Sequence, residues 1–241
     1  MAKLLIPILL IVGVVVWWKV RAQGSGIALR GRSEPLRNDQ LELLFQKLAD
    51  AAGIDQVQVR VLPDRNPNGL ATDTGEIYVT QGFIDAFRRG DVTARELASV
   101  AAHEMGHLAL GHMKRRMFEV AGRQAAQMVL GGILGRIIPW FGWYLSSWLL
   151  NLVTAKLSRR DEFEADAYAT ALMVRSGIGA EHQATLLEKL PALIPGASDA
   201  KNDSWLASHP PSDQRATAIR DNAGRWSDHE PSLEDKDMRE G

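Results

Sequence analysis

The stretch that most constrains this chain is His103-Glu104-Met105-Gly106-His107, which sits in a run of helical periodicity. Leu97, Val100, Ala101, Glu104, His107 and Leu108 recur at spacings of three or four. Residues four apart on a helix share a face, one turn above the other. His103 and His107 can therefore offer two imidazole nitrogens to one Zn²⁺ at about 2.0–2.1 Å. Glu104 lies beside them without coordinating, and its carboxylate can reach a water on the metal and take its proton. The apolar run from Glu96 to Ala102 would carry the first histidine into a core. Buried His and Glu need partners, and a cation supplies one.

The 241 residues suit one domain with appendages, and the formal charge of −1 with no basic stripe gives no argument for nucleic acid. There is no cysteine, so thiolate ligands, disulfides and a lipidated cysteine are excluded, and any metal must be held by His and carboxylates.

Leu4 to Trp18 is an almost unbroken apolar run flanked by Lys3, Lys19 and Arg21. Its helix spans about 22 Å, short of the roughly 30 Å hydrocarbon core, but snorkelling lysines and the Trp17-Trp18 pair extend its reach. Residues 1–22 are read as an uncleaved transmembrane anchor, with a signal peptide cut near Ala22 as the competitor. Basic residues after the run favour a cytoplasmic domain, the periplasmic side being the alternative. Residues 23–36 read as a Gly/Ser/Arg linker and 37–225 as the folded domain.

Within that domain Asn38 or Asp39 can cap a helix over 40–51 with Leu41, Leu44, Phe45 and Leu48 on its apolar stripe and Gly53 as its stop. Alternation around Val57, Val59 and Val61 predicts a strand, and 76–80 a second. Residues 81–89 predict a short helix, and Thr93 with Glu96 has the spacing of a capping box at the start of the motif helix. Residues 128–153 are strongly apolar, broken by Arg136, Pro139 and Gly142, with Trp140, Phe141, Trp143, Tyr144 and Trp148 clustered. A buried helix pair is one reading; membrane contact is the other, favoured because five of the seven tryptophans sit in the two apolar segments, and as a shallow hairpin on a lipid bilayer because the run is too short for two spans. A helix is expected from Ser212 to about Asn222, and 226–241 reads as an acidic, disordered tail.

A catalytic zinc site needs a third protein ligand. The longer pattern in which a glycine and a third histidine follow at fixed offsets fails, because Gly111 and His112 each miss by one; His112 reads as a surface or packing histidine. Downstream, Glu162 and Asp166 are four apart and face one way on a helix. Spacing alone leaves Glu162, Glu164 and Asp166 all open as the ligand, and an ordinary charged face, with Asp161 and Glu164 solvated, is the simpler alternative.

These motifs resemble the HtpX-like membrane zinc metalloproteases, kin to the CAAX-processing and Oma-type proteases, over about residues 35–220. That family's Ala-His-Glu-x-Gly-His is similar to 102–107, and its Ser-Arg-x-x-Glu-aromatic-x-Ala-Asp is similar to 158–166. The resemblance implies Glu162 as third ligand and Asp166 as the carboxylate that orients a ligand histidine. A late Ser208-His209-Pro210-Pro211 with Arg215 resembles a family motif that would put His209 near the reacting carbonyl, as a donor to the oxyanion, with Arg215 ordering the site. Asn68, Gly69, Leu70 and Ala71 fall where relatives have a substrate-binding edge ahead of a segment like 79–82. One departure is that relatives usually carry two clear transmembrane helices between the metal motifs.

The expectation is thus an α+β, mostly helical zincin-like domain with a small sheet, on an N-terminal anchor in a bacterial-type inner membrane. It would carry one Zn²⁺ per chain and cleave misfolded or membrane polypeptides. The alternative is a non-proteolytic, membrane-bound holdase or adaptor.

Overall fold

The computed structural model describes residues 26–72, 74–139, 141–193, 209 and 213–227. The anchor and most of the acidic tail lie outside them. After a short helical stretch at 26–31 come β1 (Glu34–Pro35), α1 (Asp39–Ala52), β2 (Val59–Leu62), β3 (Gly69–Ala71) and β4 (Ile77–Thr80). Six further helices follow: α2 (Gln81–Arg89), α3 (Ala94–Ala109), α4 (His112–Ile137), α5 (Gly142–Arg175), α6 (Glu181–Leu193) and α7 (Asp213–Ser227). The domain is mostly helical with one four-stranded sheet, as expected.

The sheet order is β1-β2-β4-β3; β2 runs parallel to β4, while β1 and β3 lie antiparallel to their neighbours. The linker reading of 23–36 gives way here. Glu34–Pro35, itself exposed, pairs with Arg60 and Val61, and Arg60 donates back to Ser33, so the outer edge of β2 finds its partners where the chain passes. Gly69–Ala71, within the expected substrate edge, forms the edge strand β3, which lies against α3.

Helix α3 organises the core. The capping box is present: Thr93 Oγ1 accepts from the Glu96 amide, and Glu96 accepts from the Thr93 amide. Lys189 of α6 closes the other Glu96 oxygen at 2.7 Å, so a buried carboxylate starts the helix without an orphaned charge. From Ala94 to His107 all but one residue of α3 are buried, with α1, β3, β4, α5 and α6 packed around it. Leu97, Val100 and Ala101 join Leu41, Leu48, Phe83, Met173 and Ile219 in one apolar cluster.

Two antiparallel helices, α4 and α5, form a hairpin turning at 138–141. Gly131 leaves room for the Trp143 ring, and Gly142 lies against the Leu134 backbone, so the turn is closely packed. Its outer faces stay apolar: Met128, Ile133, Ile137, Phe141, Trp143, Tyr144 and Trp148 are all more than half exposed. No helix among the described residues is long and apolar enough to cross a membrane. Helix α7 runs to Ser227, past the expected end, and takes the first two residues assigned to the tail.

Candidate metal centre

Helices α3 and α5 cross closely enough to join the two motifs, and Gly106 is what permits it. A Cβ at that position would stand 2.8 Å from the Ala165 carbonyl oxygen and 3.0 Å from its Cα, atoms of backbone that cannot swing aside. Gly106→Ala should therefore cost about 1–3 kcal/mol in stability, as overpacking does. By prising α5 from α3 it should also weaken metal uptake. Denaturant midpoints and metal content of the variant check both effects, and unchanged values for the two would contradict the close crossing.

At the crossing, His103 Nε2 and His107 Nε2 are 3.1 Å apart. Glu162 Oε2 lies 3.4 Å from His103 Nε2, and Glu162 Oε1 lies 3.5 Å from His107 Nε2. A tetrahedron with bonds of about 2.0–2.1 Å has edges of about 3.3–3.4 Å. The two ring nitrogens and the two oxygens of Glu162, all from buried side chains, lie near that spacing and could hold a cation among them. Two imidazole nitrogens turned towards each other and a carboxylate form a poor apolar core but a good ligand set. Asp166, the rival carboxylate, faces the other side of His103, and Glu164 points away towards His112 and Arg115.

His209 completes the group. Its Nδ1 lies 2.8 Å from Glu162 Oε2 and 3.3 Å from His103 Nε2, and its Nε2 lies 3.5 Å from Glu104 Oε1. The imidazole is thus a fourth donor among the ligand atoms as well as a neighbour of Glu104. Its motif companions Ser208, Pro210 and Pro211 lie outside the described residues. Glu104 is buried next to His209 and is not one of the four grouped donors.

Behind the ligands stands a second layer of fixed partners. Asp166 Oδ1 takes the His103 Nδ1 proton at 2.9 Å and also accepts from Arg215 Nη2 at 2.9 Å and Gln183 Nε2 at 3.2 Å. Arg215 Nε donates to the other Asp166 oxygen at 2.6 Å, and its Nη1 lies 3.4 Å from Glu162. Burial alone would raise the Asp166 and Glu162 carboxyls. Arg215 and His103 outweigh that at Asp166, and His103 with His209 at Glu162, so both are held well below the usual range. Gln183 escaped sequence reasoning, since a lone glutamine on α6 carries no pattern. Of the two readings of His112 the packing one holds, since its side chain is buried. Asp161, solvated in the charged-face alternative, is fully buried and ion-paired with Arg115. Both follow from α4 folding straight back on α5 after α3.

In the metal-free protein His103 and His107 titrate apart. Burial lowers the His103 imidazolium, but its hydrogen bonds to Asp166 and Glu162 win and raise it to about 9. Burial and then the neighbouring His103 charge push His107 down to about 2. Unfolded, both would titrate at about 6.5. Below that pH the unfolded chain holds two of these protons against one in the folded protein, so stability rises with pH. Above it the unfolded chain holds neither against one, so stability falls as pH climbs towards 9. The metal-free protein should melt highest near pH 6.5, as a series of thermal scans from about pH 5 to about 9 would test. A melting temperature that rises throughout that range would contradict the retention of a proton on His103.

A buried His-His-Glu centre, with a second carboxylate beside it and a helix-on-helix frame, defines a domain of the metallopeptidase class. The chain belongs to peptidase family M48, whose model matches residues 35–223. It is 34% identical over 168 residues to the metalloprotease LoiP of Escherichia coli (strain K12), covering 68% of this chain and 62% of LoiP. It is 30% identical to the metalloprotease YcaL of the same organism, over 73% of this chain and 67% of YcaL. Protease HtpX of Pseudomonas paraeruginosa is 27% identical over 86% of this chain and 80% of its own length.

Proposed function

We propose that the chain is a zinc-dependent endopeptidase, with His103, His107 and Glu162 holding one Zn²⁺. The approach of the two ring nitrogens to each other and to the Glu162 carboxylate carries the reading. A set of two imidazoles and a carboxylate, without thiolate, suits zinc in a hydrolytic site. When bound, zinc would supply Lewis acidity to the scissile carbonyl and to the attacking water. Glu104, buried beside the ligands, is the carboxylate that takes the proton from that water and returns it to the leaving amine. His209, next to Glu104, donates a hydrogen bond to the carbonyl oxygen as negative charge develops there. Asp166 and Arg215 keep the His103 ring in one tautomer and one orientation.

The substrate is an extended polypeptide. Strand β3 is a sheet edge beside the motif helix, so Asn68, Gly69, Leu70 and Ala71 offer backbone to a peptide laid alongside as another strand. The apolar, Trp-bearing tip of the α4–α5 hairpin suits the interface of a bilayer, where one side of an aromatic ring is wet and the other is not. With the apolar run near the N-terminus, this supports the reading of an enzyme held on a bacterial-type inner membrane and acting on misfolded or membrane proteins from the cytoplasmic side. The positive-inside charge bias supports that side.

The test uses the full chain on liposomes with an unfolded protein as substrate. New N-termini should appear in the substrate, stop after chelation and return with added Zn²⁺, and the tryptophan emission should shift to the blue on the vesicles. Substrate kept soluble but uncut would favour the holdase reading, which draws on the same exposed tip. Emission unmoved by lipid would remove the hairpin's membrane role.

A further inference from the structure

His112 opens α4 immediately after the turn at Gly111, whose φ of 68° is the left-handed conformation that glycine takes most readily. The turn reverses the chain so sharply that His112 lies against His107, with their Nδ1 atoms 2.8 Å apart and both side chains buried. The other His107 nitrogen, Nε2, faces His103 and Glu162. Two nitrogens at hydrogen-bond distance must share a proton. If Nε2 of His107 gives its lone pair to a cation, the ring's one proton sits on Nδ1, and His107 is the donor. His112 then accepts at Nδ1 and carries its own proton on Nε2. That atom lies 3.2 Å from Glu164 Oε2 and 3.9 Å from Asp161 Oδ1. Arg115 bridges these two carboxylates, and Arg160 holds Glu164 at 2.7 Å. Every proton in the chain from His107 to Glu164 has one place to be.

We propose that His112 is a positioning residue of the metal centre: it fixes the tautomer and ring plane of His107, as Asp166 does for His103. The proposal rests on the metallopeptidase reading above. It assigns the two ligand histidines different supports, a carboxylate backed by Arg215 for one and a second imidazole backed by Glu164 for the other. A purely structural role would require only a side chain that fills the turn between α3 and α4.

The experiment measures Zn²⁺ affinity of the purified full-length protein by competition with a chromophoric chelator, with the visible spectrum of the Co²⁺-loaded protein as a second readout. His112→Leu fills the space without an acceptor. His112→Asn puts an oxygen near the Nδ1 position, and His112→Gln reaches towards the Nε2 position instead. Removing such a partner lowers metal affinity by about 10–100-fold. Leu and Gln should show that loss with an altered Co²⁺ spectrum, whereas Asn should stay within about threefold of wild type with the spectrum preserved. Should the Leu variant fail to fold, the contrast between Asn and Gln carries the test. Equal affinities for Asn and Gln, or a Leu variant that binds as the wild type does, would overturn the positioning role. A wild-type protein that takes up no zinc would overturn the metallopeptidase reading itself, and the two failures are told apart by the wild-type measurement alone.

Discussion

Glu104→Gln is expected to slow peptide hydrolysis by about 10²–10⁴-fold, the usual contribution of a general base, while metal content stays near one per chain. The amide is nearly isosteric with the carboxylate but cannot accept the proton from water. Glu104 is buried and stands beside the ligand group without belonging to it, so its loss should leave His103, His107 and Glu162 in place. The check is paired: steady-state cleavage of an unfolded protein, and zinc measured on the same preparation. Wild-type turnover by the variant would sink the assignment. Loss of zinc with the activity would move Glu104 from chemistry to coordination.

The second large effect is on stability. Arg215 is almost wholly buried, bonded through two nitrogens to Asp166 and close to Glu162. Arg215→Met removes an arginine that lies against both carboxylates and should cost about 3–5 kcal/mol, the range for breaking a buried ion pair from one side. Added Zn²⁺ should restore part of that loss, since a cation between the ligands takes over some of the compensation at Glu162. Urea denaturation with and without zinc measures both quantities. A variant as stable as wild type in the absence of metal would show that Asp166 and Glu162 do not depend on Arg215 for their charge.

Local signals in the chain foretold the parts of the fold that are locally determined. Thr93 and Glu96 announce the capping box because both partners lie within one turn, and the apolar stripe of α1 is written in Leu41, Leu44, Phe45 and Leu48. His103 and His107 were legible for the same reason: a helix converts spacing into direction. What sequence could not decide was which acidic residue of α5 faces them. Glu162, Glu164 and Asp166 differ by less than the uncertainty in a helix's rotation, and only the resemblance to known proteases chose Glu162. The pairing of His112 with His107 was hidden because it depends on a left-handed turn at Gly111, not on helical repeat. Gly106 was visible as a letter of the motif, but its reason, the Ala165 backbone across the crossing, belongs to another helix. The strand at Glu34–Pro35 was lost in a polar stretch whose hydrogen bonds are supplied by a distant partner.

Helix α5 runs without a break from the apolar tip to the carboxylates beside the ligands. From Tyr144 to Glu162 it rises by about 27 Å, which acts as a ruler between any surface the tip rests on and the site of cutting. An extended chain advances at most about 3.3–3.6 Å per residue, so a segment leaving that surface would need roughly eight unfolded residues to arrive. With the tip on a bilayer as proposed, such a stand-off would spare short, tightly folded ends and expose slack ones, a length filter that needs no recognition of sequence.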